Sequence, residues 1–425
     1  MSKVICVSPE LLPENLEADV DYFTVYRSSG NARASTVGTG LLYDIDKNGL
    51  SPTQAPWDFM TFALSVSAAD QAVVRSRSPD GWTRVMDLSV ALADPAPFRA
   101  AKAQLESMLR YLTGDFWSLT FVDGGEQAPR SRKPAPFDAD CVSLLSGGVD
   151  SLVGAIDLVA NGAKPLFVSQ MAKGDSDTQV AYAKQLGGAD RHLQWNHNIR
   201  VNHPTERSTR ARSIVFFAFA VLAAGELHGE SGRRVQVYVP ENGFISLNVP
   251  LNAGRAGSLS TKTTHPVFLA RLQQVFGALN LPLSLERPYA FKTKGELMAE
   301  CADRGLLTQL VGRSTSCGRY GYYNYQHCGR CVPCLVRRAS FQAARMEDTT
   351  RGYHFTNLRV SGRKSGANDI GAVAGAVLRI EREGPRSLTA GQLSFATPAE
   401  RGGYERVVVR GMSELGSLLR NQGVL

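Results

Sequence analysis

From Cys141 onward the chain alternates short strand-like runs with apolar helical ones: CVSLL, SLVGAIDLVANG, KPLFVSQ, TQVAYAKQLG, RHLQWN, SIVFFAFAVLAAGEL and RRVQVYV. That rhythm predicts an α/β fold, a parallel sheet with helices on both faces. Its first strand-to-helix junction reads Ser146-Gly147-Gly148-Val149-Asp150-Ser151. The first N–H groups of a helix have no intrahelical partner, and the helix dipole is positive there. Glycines let the backbone turn sharply and approach a ligand, so the junction makes an anion cradle at the end of a sheet where such folds bind. Ser146 and Ser151 add hydroxyl donors, and Asp150 can cap the helix or hold a magnesium ion. The spacing is neither a Walker A loop nor G-x-G-x-x-G. The bland alternative is a strand-to-helix turn with a serine cap.

Four of the seven cysteines, Cys317, Cys328, Cys331 and Cys334, form C-x10-C-x2-C-x2-C. Two-residue gaps let neighbouring thiolates converge on one ion, and the longer excursion brings in the fourth. Four thiolates closing a tetrahedron predict structural Zn2+ without an open catalytic position. A [4Fe–4S] cluster uses related spacings and stays open as the alternative. His327 competes as a ligand, although the adjacent Cys328 completes the pattern. Cys6, Cys141 and Cys301 stand alone and are expected as buried packing residues.

SGGVDS resembles the pyrophosphate loop of the AMP-forming ATP pyrophosphatases, whose fold is the adenine nucleotide alpha-hydrolase type. The resemblance implies ATP held by Leu145, Ser146, Gly147, Gly148, Val149, Asp150 and Ser151, with Mg2+, followed by adenylation of a substrate oxygen. With CGRCVPCLVRR at 328–338, the loop is similar to the 7-cyano-7-deazaguanine synthase (QueC) family of the queuosine and archaeosine pathways. RARSIVFF at 210–217, VPENG at 239–243 and RPYAFKTKGEL at 287–297 resemble family segments in the same order. The likeness spans about residues 138–350, strong at the loop and cysteines and looser between them. Housekeeping members lack the first 130 and last 70 residues, and the loop ENGFISLNVPLN departs from theirs. FALSVSAADQAVVRS and LRYLTGDFW resemble the long, defence-associated branch that includes the QatC proteins of the Qat anti-phage system.

The family likeness implies an AMP-forming C–N ligase that adenylates the carboxylate of 7-carboxy-7-deazaguanine. Coupling to ammonia gives an amide and, after a second ATP, a nitrile; in the long branch the amine could belong to a companion protein from the same operon. A tRNA-modifying thiolase and a catalytically silent nucleotide-binding scaffold are the competing readings. Ser146, Asp150, Ser151 and Lys294 are the implied catalytic residues. Arg212, chosen from Arg207, Arg210 and Arg212 by motif match, is the implied triphosphate clamp, which the planar guanidinium suits. Lys292 and Lys294 precede a helix; the family pattern gives Lys294 the charge on pyrophosphate and leaves Lys292 for substrate. Glu241 and Asn242 could hydrogen-bond the guanine-like edge of a deazapurine. An ordinary Asn-Gly turn is the alternative. Ser146 and Asp150 are expected at an exposed crevice, where alanine would abolish AMP formation and spare the fold. Arg337 and Arg338 are expected to cap a helix or face solvent.

Four units are expected: an α+β extension at 1–125, an exposed linker at 126–138, the nucleotide domain at 139–350 with its zinc site at 317–334, and a helical extension at 351–425. The linker expectation rests on the run GGEQAPRSRKPAPFD at 124–138. The net charge of +8 permits an anionic ligand but lacks the dense basic stripe of a nucleic-acid binder. IVFFAFAVLAA at 214–224 is about half a membrane span, and the N-terminus has no apolar signal region. These features predict a cytoplasmic protein with no membrane partner.

Overall fold

The computed structural model describes residues 1–207, 209–251, 262–359, 369–391 and 393–425. Its strands form two five-stranded sheets in which every strand-to-strand pairing among the described residues is parallel, with one isolated antiparallel bridge between Thr36 and Arg200. The first contains β1 (Ser2–Val7), β2 (Val20–Val25), β3 (Ser35–Val37), β4 (Val85–Leu92) and β5 (Phe116–Asp123), in the order β3-β2-β1-β4-β5. Its helices are α1 (Leu41–Lys47), α2 (Gln54–Ala72), α3 (Ala96–Ala100) and α4 (Lys102–Thr113). The second contains β6 (Cys141–Leu144), β7 (Pro165–Gln170), β8 (His192–Trp195), β9 (Val235–Tyr238) and β10 (Leu283–Glu286), ordered β10-β9-β6-β7-β8. Counted from its own first strand, each sheet is wound in the same order. In both, the order reverses between the first and fourth strands, where an open α/β sheet has its crevice.

The expectation of an α+β extension is corrected: the N-terminal part is α/β with a wholly parallel sheet. The two strands legible as DYFTVYR and WTRVMDLSVAL are not neighbours, because β1 lies between them and pairs in parallel with both.

The second sheet carries α5 (Val149–Ala160), α6 (Ser176–Gln185), α7 (Arg212–Ser231), α8 (Gly243–Leu247) and α9 (Pro266–Ala278). Buried along nearly its whole length, α2 lies between the first sheet and α7, which packs on β6, β7 and β9. One hydrophobic core therefore runs through both sheets. Among the described residues only α7 is long and apolar enough to cross a membrane, and here it is mostly buried inside the fold.

Charged groups fasten the same seam. Asp70 on α2 accepts from the backbone N–H groups of Arg210 and Ala211, at 2.6 and 2.7 Å, and so caps α7 from another helix. Asp70 also pairs with buried Arg84, which bonds Asp115 at 2.6 Å; Arg75 reaches Asp115 at 2.7 and 2.9 Å. Arg210 donates to Thr113 O and belongs to this seam rather than to a ligand clamp.

The expected linker has no helix or strand but is pinned: Ser131 N–H donates to Leu50 O, Arg132 N–H to Asp46, and Phe137 N–H to Glu230. Just before it, the first sheet's crevice is filled. Gly125 N–H donates to Leu92 O, Ser8 Oγ donates to Gly124 O, and Asp58 accepts from Ala93 and Asp94 N–H. A Cβ on Gly125 would stand 2.5 Å from the Leu92 backbone, so only glycine lies this close.

Beyond β10 come α10 (Lys294–Ala299), α11 (Arg304–Leu310), α12 (Val332–Ala343), α13 (Ile370–Glu383), α14 (Arg386–Thr389) and α15 (Pro398–Asn421). The tail is helical, as its periodicity predicts. Apolar faces of α13 and α15 close a second core against α8 and α12.

Candidate functional site

A cavity of about 390 Å³ opens at the C-terminal ends of β6 and β9, the reversal point of the second sheet. Its floor is the glycine loop. Gly147 has φ +91, a left-handed conformation that side chains with a Cβ resist. The carbonyls of residues 145–148 are all taken by protein donors: Leu145 O by Ser169 Oγ, Ser146 O by Gln179, Gly147 O by Thr315 N–H, and Gly148 O by Ser151 Oγ and Leu152 N–H. The N–H groups of Gly147, Val149, Asp150 and Ser151 have no partner among the described residues. Carbonyls tied back and amides left unpaired at the positive end of α5 make a surface that favours anions. Ser146 Oγ accepts from Gly148 N–H at 3.3 Å and lies 3.1 Å from Ser151 Oγ.

The side chain of Asp150 is 7% exposed, buried rather than open on the crevice. Its Oδ1 takes Lys294 Nζ at 2.5 Å; its Oδ2 takes the Asn242 side-chain and backbone N–H at 2.6 and 3.1 Å. Although burial pushes its carboxyl upward, the Lys294 charge and these bonds hold it below the usual range. Burial, and then the Asp150 charge, push neighbouring Glu241 well above the usual range. The two neighbouring carboxyls are thus pushed in opposite directions, Asp150 down and Glu241 up. Lys294 stands here because Thr293 caps α10 in a reciprocal box with Glu296, which fixes the first helical residue toward the cavity.

The remaining expected residues divide. Glu241 lines the cavity. Asn242 is fully buried: its Oδ1 caps α8 through Ile245 N–H and its amide nitrogen holds Asp150, so it positions rather than recognises. Lys292 points elsewhere, 2.6 Å from Glu300. Arg212 is exposed on the first turn of α7, its charge acting on Asp175 and His197 beside the loop. Residues that sequence reasoning missed complete the walls: Phe216 and Phe217 from α7, Thr263 and Thr264, Pro333, and the pair Thr315–Ser316. Phe216 and Phe217 end the RARSIVFF segment, Pro333 lies between Cys331 and Cys334, and Thr315–Ser316 stand directly before Cys317, so only Thr263 and Thr264 carried no signal.

The four cysteine sulfurs lie within 4.8 Å of one another, all buried. Cys317 and Cys331 are 3.9 Å apart, Cys328 and Cys334 3.8 Å. Four sulfurs about 2.3 Å from one ion sit about 3.8 Å apart, so the set can hold zinc; the larger cube of an iron–sulfur cluster needs its sulfurs further apart. Backbone N–H groups of Arg319 and Cys328 point at Cys317 Sγ, and those of Arg330 and Cys331 at Cys328 Sγ, bonds that favour thiolates. His327 Nε2 accepts from Ser316 N–H instead of joining the sulfurs. Arg337 is fully buried, against expectation. It bonds Ser314, Val311 O, Thr350 and Ser316, fastening the segment that carries Thr315 to the knuckle. Arg338 donates to Thr356 O. The knuckle thus forms one wall of the cavity.

No protein-family model and no curated protein matches this chain.

Proposed function

We propose that the protein is an ATP-dependent, AMP-forming C–N ligase acting on the carboxylate of a deazapurine such as 7-carboxy-7-deazaguanine. The observation that carries this reading is one cavity bearing unpaired loop amides, the Asp150–Lys294–Glu241 group and apolar walls. The amides of Gly147, Val149, Asp150 and Ser151 suit the β- and γ-phosphates of ATP. Asp150, with Glu241, is where Mg2+ would bind, and the ion would offset phosphate charge. Lys294 then faces the charge that develops on departing pyrophosphate. Phe216, Phe217, Val239 and Ile245 supply apolar surface for a planar heterocycle.

In the first step a substrate carboxylate oxygen attacks the α-phosphorus of ATP and the bond to pyrophosphate breaks, leaving an acyl adenylate. In the second, an amine attacks the acyl carbon, loses a proton, and AMP departs with the C–O electron pair. The amine is ammonia or an amine on a companion protein. A thiolase reading is less well supported, because the three thiols outside the knuckle are buried and lie off the cavity. Burial pushes Cys6 and Cys301 up to about 12. The test is AMP and pyrophosphate release from ATP, Mg2+ and 7-carboxy-7-deazaguanine, with and without ammonia. No AMP with any arm overturns the reading.

A further inference from the structure

A second cavity of about 850 Å³ lies against the first, sharing Ile245 and Pro333 with it. All three parts of the chain build it: Tyr111 from α4, Lys262, His265 and Arg271 around α9, Arg319 and Val332 at the knuckle, and Ser394 and Phe395 from the tail. Three cations and one carboxylate, Asp369, line it. Lys262, Arg271 and Arg319 form no ion pair among the described residues. Asp369, the acid on the wall, accepts from Val332 N–H at the start of α12.

Lys262 and Arg271 are held, not loose, while Arg319 is exposed. Lys262 Nζ lies 4.6 Å and Arg271 Cζ 5.3 Å from the centre of the Tyr111 ring, and Arg271 is anchored to Ser107 O. Tyr111 is fixed in turn by His265, its hydroxyl 2.7 Å from Nδ1, the atom that also accepts from Val267 N–H. Burial, and then Arg210 and Arg271, lower the pKa of Lys262, a crowding that a nearby anion relieves. Lys262 and Arg271, preorganised on one aromatic ring, half-buried and without an ion pair among the described residues, are an arrangement that an acidic group binds.

We infer that this second cavity is an anion-binding subsite for the molecule that supplies the amine, taking its carboxylate or phosphate between Lys262, Arg271 and Arg319. The inference rests on the ligase reading for its role in catalysis, while the binding itself does not. Continuity with the first cavity lets a bound acceptor extend its amine toward the acyl carbon. It also gives the two extensions a use, since the subsite is incomplete without Tyr111 and Phe395.

The test has a binding arm and a turnover arm. Triaspartate and inorganic phosphate are titrated by calorimetry, without ATP, into the full-length protein and into Lys262→Ala, Arg319→Ala and, as a charge control on α6, Lys184→Ala. Binding that weakens about tenfold in the first two variants and not in the control supports the subsite. Two outcomes overturn it: no binding of either probe, or equal weakening in all three variants. The stronger of the two probes identifies carboxylate or phosphate as the group held. Turnover is then followed with triaspartate, O-phosphoethanolamine and the uncharged acceptor glycinamide. The anionic amines should lose about tenfold in kcat/KM in Lys262→Ala while glycinamide does not; equal loss for all three overturns the acceptor role. Absence of AMP in every arm sinks the ligase reading and leaves the calorimetric result standing by itself.

Discussion

Thr293 donates its hydroxyl hydrogen bond to Glu414, a residue 121 positions later in the last helix. Thr293 is the N-cap of α10, and the next residue is Lys294, which grips Asp150. Arg410, one turn earlier on α15, holds Phe291 O at 2.7 Å and pairs with Glu296. The C-terminal helix therefore braces the segment that presents the lysine of the candidate site.

Replacing Glu414 with alanine should remove that brace. Loss of a buried hydrogen bond at a cap costs about 1–2 kcal/mol, measurable by urea unfolding, and AMP formation should fall with it.

The same residue gives a pH signature. Burial raises Glu414 from 4.5 to about 7. The folded state thus favours the protonated acid, so this group's contribution to stability is fully present below about 4.5 and is lost as pH rises to about 7. Unfolding free energy measured across that window should decline in the wild type. In Glu414→Gln this component of the slope should vanish; an unchanged slope would refute the assignment.

Removing the metal should unfold part of the chain. Purified protein is expected to carry one zinc, and Cys331→Ser or a strong chelator should lower the melting temperature, because zinc binding and folding of the knuckle are coupled. Fully folded, metal-free wild-type protein would refute this.

At the loop, Gly147→Ala forces a Cβ into φ +91, at a cost of about 1–2 kcal/mol, and should disturb the amides that face the cavity. Ser146→Ala should reduce AMP formation with little change in stability. Asp150→Ala, by contrast, leaves Lys294 buried without its partner, a loss of about 3–5 kcal/mol. Its unfolding curve should shift strongly, which separates it from the serine variant.

Much of this site was legible because it is local. The loop at 146–151 and the four cysteines at 317–334 are short stretches whose residue types and spacing can be read directly. Asn242 was found for the wrong reason: sequence shows an amide after a strand, but not that both of its ends are used internally. Arg337 followed the same course, since proximity to Cys334 does not reveal the carbonyl and hydroxyls that bury it. In the N-terminal part, β5 alternates exposed and buried residues along FWSLTFVD, a period-two signal that was available. β1 was harder, its six residues being too few to reveal that they separate β2 from β4. The brace from Glu414 to Thr293 could not be read at all, because no local pattern links residues so far apart.

The N-terminal part should not be removable. A chain of residues 126–425 would expose the face of α7 that packs on α2 and would lose the Asp70 cap, so it should be insoluble or molten. Cooperative unfolding of that fragment, seen by calorimetry, would show that the seam is dispensable. Asp70→Ala in the full chain should cost about 1–3 kcal/mol by leaving the Arg210 and Ala211 N–H groups without an acceptor, while Arg84 keeps Asp115.

Two sheets of one winding order have opposite fates here. In the second, the gap between first and fourth strands stays open and collects the loop, Glu241 and Lys294. In the first, the chain's own Gly124–Gly125 step lies in that gap. A single methyl group at Gly125 would collide with Leu92, so the seal tolerates no side chain. The molecule is thereby committed to one mouth at its sheet reversals: a substituent at Gly125 would not simply loosen a turn but would pry the sealed gap apart.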